Sequence, residues 1–487
     1  MLTLGIIDAN SKNAKEESFI DPVVSVVGQW LQWECEQAGV TLVGPEESDV
    51  VLLVFAGQVD FLTECRKAMK RKGIEPYRAA RLSGKAKGRT PYVITGDPVD
   101  VAPFTALALA DALAIGEGYL FIRQVLDIVK GGGDIGDLRA FVSDYAHAIE
   151  GSQIDQIPRD TERPWRLAEL TAPIASPDDW VDWDANPLIR TDDKVIRIVA
   201  SKGCHLKCKF CATTYRQTYR VNENSEQTLT AVDGAQSRGE GLSLITNDVG
   251  VLPTLPEIAR RGQLAFQSLT VKSLREPHML ATILRANMKI SRFGVEGISE
   301  RIRQAFGKPV SNNELIDMLG QMHSANLDSH LFFIVGAPYE TAEDWAEYRD
   351  FHQKLALKLR SHLCRIKMTA FNAQPPTPLA YFIAGREYHT LADEWLTWLL
   401  HNLKSRHVMY VMPRKPESRL QDLGDSFGVS PAIMGALVQD QGTIDLAPTV
   451  EDAYYMPWEI IQWPLATAKR WHLSRSYMRY MGALAHA

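Results

Sequence analysis

"SKGCHLKCKFCATTYRQ", residues 201–217, sets Cys204, Cys208 and Cys211 within eight positions, three of the six cysteines in the chain. It follows "KVIRIVA" (194–200), an apolar run of strand length, so the three thiols fall in the loop after a buried strand. In barrels of parallel strands, active sites assemble at the carboxyl-terminal ends of those strands. Soft thiolates in such a loop select zinc or an iron–sulfur cluster. Structural zinc wants four ligands, usually two pairs, and no second Cys or His pair follows at finger spacing. His205 is adjacent to Cys204, poorly placed to ligate the same ion, and is read as a non-ligand. Three thiolates instead suit three irons of a 4Fe-4S cubane, leaving the fourth iron open to a substrate or cofactor.

The rest of the composition narrows the class. A length of 487 residues predicts roughly two to four domains. The formal net charge of −6 favours neither a membrane nor a nucleic acid over the chain as a whole. No uncharged run is long enough to span a bilayer, and "MLTLGIIDAN" lacks the basic flank of a signal peptide, so a cytoplasmic protein is expected. Cys35, Cys65 and Cys364 lie far apart and read as buried small apolar side chains.

Strand and helix patterns alternate on both sides of one irregular stretch. In residues 1–150, "LTLGIID", "DVVLLVF" and "PYVITG" read as buried strands and "VVSVVGQWLQWECEQAG" as a helix, which predicts a Rossmann-like parallel sheet covered on both faces. Within it, Arg66 to Arg89 carries ten Lys or Arg against one acid, Glu75, a run that suits a solvated helix face or an anionic partner. Residues 151–193, rich in Pro and Asp, read as an irregular linker. From 194 to 384, strands are placed at "KVIRIVA", "LSLIT", "SLTVK", "MKISRFGV", "SHLFFIV" and "CRIKMTA", fitting a partial (βα)6 TIM-type barrel. Residues 385–487 read as a mainly helical C-terminal domain, with "TLADEWLTWLLHNLKSR" its clearest helix. The fold class is therefore α/β.

The spacing CxxxCxxC after the first strand of a βα barrel resembles the radical S-adenosylmethionine superfamily. That resemblance implies a 4Fe-4S cluster on Cys204, Cys208 and Cys211, with the free iron chelated by the methionine part of S-adenosylmethionine. One electron, from an external donor of flavodoxin or ferredoxin type, then cleaves the sulfonium to a 5′-deoxyadenosyl radical that takes hydrogen from a substrate. Phe210 matches the aromatic beside the adenine. Thr246, Asn247 and Asp248 in "LITNDVG" stand where the family often has Gly-Gly-Glu for the cofactor's amino group, and depart from it. "GVEGISERIRQAFGKP" resembles the stretch in which Glu296 would take the ribose hydroxyls and Ser299 and Arg301 the methionine carboxylate. "FFIVGAPYET" resembles the adenine-contacting stretch through Gly336, and "FNAQPPTPLA" the turn after the sixth strand.

The order of a βα domain, a linker and this barrel is similar to the branch of the superfamily with an N-terminal cobalamin-binding domain. Here Asn10 replaces the histidine that would ligate cobalt, Asn13 replaces a glycine, and Asp97 stands in a Gly-Gly that admits the nucleotide tail. Bound cobalamin is therefore not expected, and the 1–150 region reads as a cobalamin-binding-like scaffold. Without a methyl carrier, rearrangement (an isomerase) or another direct modification of the substrate is the favoured outcome. "AKRWHLSRSYMRYM" interleaves Lys469, Arg470, Arg475 and Arg479 with Trp471, Tyr477 and Tyr480. Cations neutralise phosphates and aromatics stack on bases, so the substrate is read as a nucleotide or a nucleic-acid base, as in thymidine hypermodification. A cobalamin-dependent methyltransferase and a non-catalytic iron–sulfur binding protein are the alternatives.

Overall fold

The computed structural model describes residues 2–9, 25–55, 61–96, 103–116, 118–157, 174–175, 189–191, 195–223, 225–261, 264, 266–288, 290–337, 340–359, 364–371, 374, 376–379, 394–395, 397–398, 409–412 and 461–462. Strands β1 (Leu4–Asp8), β2 (Val50–Val54), β3 (Tyr92–Gly96), β4 (Ala112–Ala114) and β5 (Ala148–Glu150) form one sheet in that order. A parallel bridge from Leu4 to Leu42 adds a partner on the outer edge of β1. Counted by chain order the sheet then begins 2-1-3-4, as doubly wound α/β sheets do. Every residue of β1 and β2 is buried, the signature of parallel strands covered on both faces.

The expected all-parallel sheet needs one correction, because β5 runs antiparallel to β4. Two helices in succession, Tyr119–Lys130 and Ile135–Asp144, separate the two strands. Each reverses the chain, so β5 enters from the opposite end. The second helix is stopped from sliding by a capping box, Asp134 and Asp137 each accepting from the other's backbone N–H.

Several cations of the basic run 66–89 turn inward rather than toward a partner. Arg66 is buried. Arg78 pairs with Asp155 at 2.8 Å. Arg81 donates to the carbonyls of Glu75, Pro76 and Leu109 and to Asp111, ending at 2.8 Å from that carboxylate. Arg89 donates to the carbonyls of Glu46 and Ser48. What remains exposed is Lys67, Lys70, Arg71, Lys85 and Lys87 beside Arg89, a thinner patch than the sequence suggests.

The second part of the chain supplies β6 (Ile174–Ala175), β7 (Ile189–Thr191), β8 (Val195–Val199), β9 (Ser201–Lys202), β10 (Arg220–Val221), β11 (Gly241–Ile245), β12 (Phe266–Leu269), β13 (Ile290–Glu296), β14 (Asp328–Val335), β15 (Cys364–Ala370), β16 (Met409–Met412) and β17 (Ile461–Gln462). Strands β8 and β11 pair in parallel, with β7 antiparallel on the outer side of β8, and β12 to β16 form a parallel sheet in chain order. A parallel bridge between Leu242 and Leu264 links the two groups. All six strands read from the sequence are present. "SLTVK" is cut short, because the Thr270 hydroxyl accepts from Ser273 N–H at 3.1 Å and starts the helix Val271–Leu274.

Along β14 burial alternates residue by residue. Leu331, Phe333 and Val335 enter a core with Trp345, Tyr348 and Phe351 of the helix Ala342–Leu359. His330, Phe332 and Ile334 take the other face, here called the inner face. The parallel sheet also continues past residue 384, through β16. The described residues of the expected linker and C-terminal domain include strands β6, β7, β16 and β17, with β6 and β17 paired. The basic and aromatic stretch 468–481, and most of 385–487, lie outside the described residues. Among the described residues no helix is long and apolar enough to cross a membrane.

One buried ion pair makes the first sheet testable. Arg81 and Asp111 are 3% and 6% exposed at the side chain, and Asp111 also accepts from Val93 N–H at 2.9 Å. Asp111→Ala strands a buried guanidinium and is expected to cost about 3–5 kcal/mol. Urea unfolding followed by circular dichroism reads this, and a loss below about 1 kcal/mol would contradict the role given to the pair.

Candidate cofactor site at the strand ends

The cysteine loop is closed at its base and tied along its length. Strands β9 and β10 pair antiparallel on either side of it. Gly203 precedes the first cysteine at φ +63°, and a Cβ there would lie 2.5 Å from the Thr218 carbonyl oxygen. Glycine is thus needed twice, for left-handed backbone and for close approach. Asn247 Nδ2 donates to the Gly203 carbonyl at 2.7 Å. Lys209 N–H donates to Phe306 O at 3.0 Å, and Ala212 N–H to Gln374 Oε1 at 3.1 Å. These ties reach segments after β11, β13 and β15, so the loop is fixed to three separate strand ends.

Cys204, Cys208 and Cys211 all line one cavity of about 460 Å³, together with Phe210, Asn247 and Glu296. Burial raises the Cys204 thiol, and it pushes Cys208 up to about 12. A cation bound beside these thiols lowers their pKa and favours the thiolates. Among the described residues, no three His, Cys, Asp or Glu side chains close as ligands of a single ion. His205 lies 3.8 Å from Asp248 and against the Tyr219 ring.

Facing the cysteines is an ion pair of which the sequence motifs mark only one member. Lys308 Nζ sits 2.9 Å from Glu296 Oε1 and 3.0 Å from the Gly294 carbonyl. It also lies over the Phe210 ring, 5.8 Å from its centroid. Burial works against its charge, but Glu296, Cys208 and Cys211 outweigh it, so its pKa is raised. Glu296 itself adopts φ +73°, beside a register shift in β13 between Gly294 and Glu296. A non-glycine residue there is strained, and such strain gathers at functional sites. Gly294 makes room: a Cβ on it would run into Glu296 Oε1 and Lys308 Nζ.

Five of the residues assigned to the cofactor do not line this cavity, and each has a visible reason. Thr246 Oγ1 shares a hydrogen bond with Ser201 at 2.6 Å. Asp248 is buried and accepts from Thr270 Oγ1 at 2.7 Å, Ser273 Oγ at 2.6 Å and Gly250 N–H at 3.0 Å, so it fastens the β11 and β12 loops. Ser299 caps the helix Glu300–Ala305 and donates to Asp344 at 2.6 Å. Arg301 Nε donates to the same carboxylate at 3.1 Å. Asp344 thus occupies the Ser299 hydroxyl and the Nε and Nη2 donors of Arg301. Gly336, at φ +72°, forms a turn whose N–H donates to Glu340 at 2.9 Å, and burial raises that carboxyl to about 8.

Lys308, Arg292 and Gln374 line the cavity although no sequence signal singles them out. Lys308 is the penultimate residue of the quoted "GVEGISERIRQAFGKP", yet no spacing rule marks it. Arg292 belongs to the alternating face of β13 and becomes visible only with the register. The positions read for cobalamin, Asn10, Asn13 and Asp97, lie outside the described residues.

Residues 198–352 match the model of the radical SAM superfamily. No protein of curated function matches the chain. Among solved structures, the cobalamin-dependent S-adenosylmethionine radical enzyme OxsB with aqua-cobalamin bound is similar at TM-score 0.45 and 13% identity, over 81% of this chain and 55% of that one. SuiB of Streptococcus suis bound to precursor peptide SuiA is similar at TM-score 0.33 and 10% identity, over 46% of this chain and 50% of that one. The chain spans about half the length of these neighbours. Both likenesses are too distant to carry a functional reading.

The glycine before the triplet separates strain from collision. Gly39 has φ +70° and open space where a Cβ would go. Gly39→Ala is expected to cost about 1–2 kcal/mol from backbone strain alone. Gly203→Ala adds the clash with Thr218 and should cost about 1–3 kcal/mol more. Denaturant unfolding of both variants checks this, and equal losses would show that the loop has room to move.

Proposed function

We propose that the chain, which carries a radical SAM domain at residues 198–352, is an enzyme that cleaves S-adenosylmethionine at a 4Fe-4S cluster and removes hydrogen from a substrate, favouring an isomerase-type rearrangement. The observation that carries this is the shared cavity: three cysteines, Phe210, Asn247 and Glu296 meet at the carboxyl-terminal ends of parallel strands. The strand order β8, β11 to β15 supports a partial six-stranded barrel of TIM type around it.

In this reading Cys204, Cys208 and Cys211 hold three irons as thiolates and leave one iron for the methionine part of the cofactor. Together the cluster and S-adenosylmethionine supply a one-electron sulfonium cleavage and a 5′-deoxyadenosyl radical, the electron coming from a flavodoxin or ferredoxin type donor. Phe210 offers a ring face to the adenine. The Asn247 amide oxygen is the acceptor for the ammonium, its nitrogen being held by Gly203. Glu296 Oε2 takes a ribose hydroxyl while Lys308 fixes Oε1. Lys308 also sets a positive charge beside Cys208 and Cys211, which favours the anionic, thiolate-bound state of the site. Asp248, Ser299 and Arg301 keep their places as structural groups.

A nucleotide or nucleic-acid base remains the proposed substrate class, as in thymidine hypermodification. It rests on the composition of 468–481 and on the cations of the 66–89 run that stay exposed, Arg66, Arg78 and Arg81 being buried. Cobalamin is left out because Asn10 offers no imidazole to cobalt and Asp97 stands in place of the second glycine of the Gly-Gly that admits the tail.

Anaerobic reconstitution should load about four irons and four sulfides per chain. Alanine at any one of Cys204, Cys208 or Cys211 should abolish the broad visible absorption and all cleavage of S-adenosylmethionine. Retention of iron by the triple variant would overturn the site, and a loaded wild type that never cleaves the cofactor would favour a non-catalytic iron–sulfur protein.

Protein produced with ample cobalamin is expected to show no corrinoid absorption after purification. Stoichiometric corrinoid would instead make a cobalamin-dependent methyltransferase the better reading.

A further inference from the structure

Below the Glu296–Lys308 pair, the inner face of the second sheet carries a row of bases. Register aligns Arg197 of β8 with Ser243 of β11, and Ser268 of β12 with Arg292 of β13, His330 of β14 and Arg365 of β15. The neighbours of these residues along each strand, Ile196, Ile198, Phe293, Leu331, Cys364 and Ile366, enter the helix-covered core. Period-two alternation therefore turns all four bases to the other side of the sheet. Lys367, one step further along β15, adds a cation 5.9 Å from the Phe332 ring centroid. Arg292, Phe332 and Thr369 line the cavity that holds the cysteines. At 3.3 Å per residue, the row lies roughly 10–13 Å down the strands from Glu296.

We propose that Arg197, Arg292, His330 and Arg365 form the seat for an oxyanion group of the substrate, a phosphate or a carboxylate, on the inner face of the sheet and reached from the cavity at Arg292, the one base of the four in its lining. The inference rests on reading this cavity as the place where cofactor and substrate meet, and it names what the substrate must carry.

Electrostatics support this assignment. The bases are near enough to disfavour one another's charge: burial and Arg197 lower Arg292, while burial, Arg365 and Arg292 lower His330 against the pull of Asp328. Interiors of parallel barrels are ordinarily filled by bulky apolar side chains. Neighbouring cations in that position repel and weaken the fold, and a bound anion reverses the sign of the interaction. Guanidinium forks match phosphate and carboxylate oxygens two at a time, which suits Arg better than Lys for the task.

The probes are inorganic phosphate and succinate, titrated separately into reconstituted full-length protein by isothermal calorimetry in chloride buffer. One of the two should bind at about one per chain, and the tighter identifies which oxyanion the row prefers. Arg292→Gln is expected to weaken that binding at least tenfold. Arg365→Gln, altering an exposed residue and so least able to disturb folding, should weaken it severalfold and decides the matter if Arg292→Gln fails to fold. The surface pair Lys67→Gln with Lys70→Gln should leave it unchanged. Binding of neither probe, binding that survives in the row variants, or binding lost only in the surface variant each overturns the proposal. Cofactor cleavage by the wild-type preparation, measured alongside, reports on the proposed function separately. An active enzyme that binds neither oxyanion refutes the row alone.

Discussion

Each strand of the second sheet must bury one side and expose the other, and both the core and the site follow from that division. On β13, Phe293 and Val295 enter the core while Arg292, Gly294 and Glu296 line the cavity. On β15, Ile366 and Met368 pack while Thr369 lines it. Helices cover the packed side, as in Trp345, Tyr348 and Phe351 against Phe333. Apolar burial on one face at about 25 cal/mol per Å² is what allows polar and charged groups to be held on the other. A one-residue slip in register would exchange the two sets and lose both.

The alternation breaks at one place, and that place faces the cysteines. Between Gly294 and Glu296 the pairing of β13 with β14 shifts, Gly294 aligning with Phe332 and Glu296 with Phe333. A bulge bends a strand and re-aims its side chains. Here it carries Glu296 to left-handed φ and sets its carboxylate on Lys308. The ion pair is mostly buried, with side chains 14% and 18% exposed, so part of its attraction offsets desolvation. What it gains is position: the lysine bonds to the Gly294 carbonyl as well, bracing the strained turn from the far side.

The elements that are legible in the sequence are those whose signals are local. The cysteine spacing, the six strands and the glycine turn at Gly336 are each written within a few residues. Glu296 is found through its motif and does line the cavity. Asp248, Ser299 and Arg301 bond to groups distant in sequence, Thr270 and Ser273 for the first and Asp344 for the other two, and no local pattern announces those bonds. A polar side chain looks available until its partner from another strand end is known. In the basic run 66–89, likewise, Asp111 and Asp155, the acids that pair with Arg81 and Arg78, lie outside the run. The row at Arg197, Arg292, His330 and Arg365 is the converse case, four ordinary residues that only strand pairing aligns.

Charge in the cavity is therefore layered. Near the cysteines, Lys308 and Glu296 offset each other and leave a site suited to a zwitterionic cofactor with amino, carboxylate and hydroxyl groups. Deeper along the strands the balance turns positive, with Asp328 the nearby acid that His330 feels. Under the proposed reading, such a gradient would orient an elongated substrate, its negative end inward and its reacting end toward the cofactor. The chain as a whole, at net charge −6, sets up no long-range attraction for a polyanion. A short row of four bases, one of them exposed, matches a single oxyanion group better than the continuous backbone of a duplex.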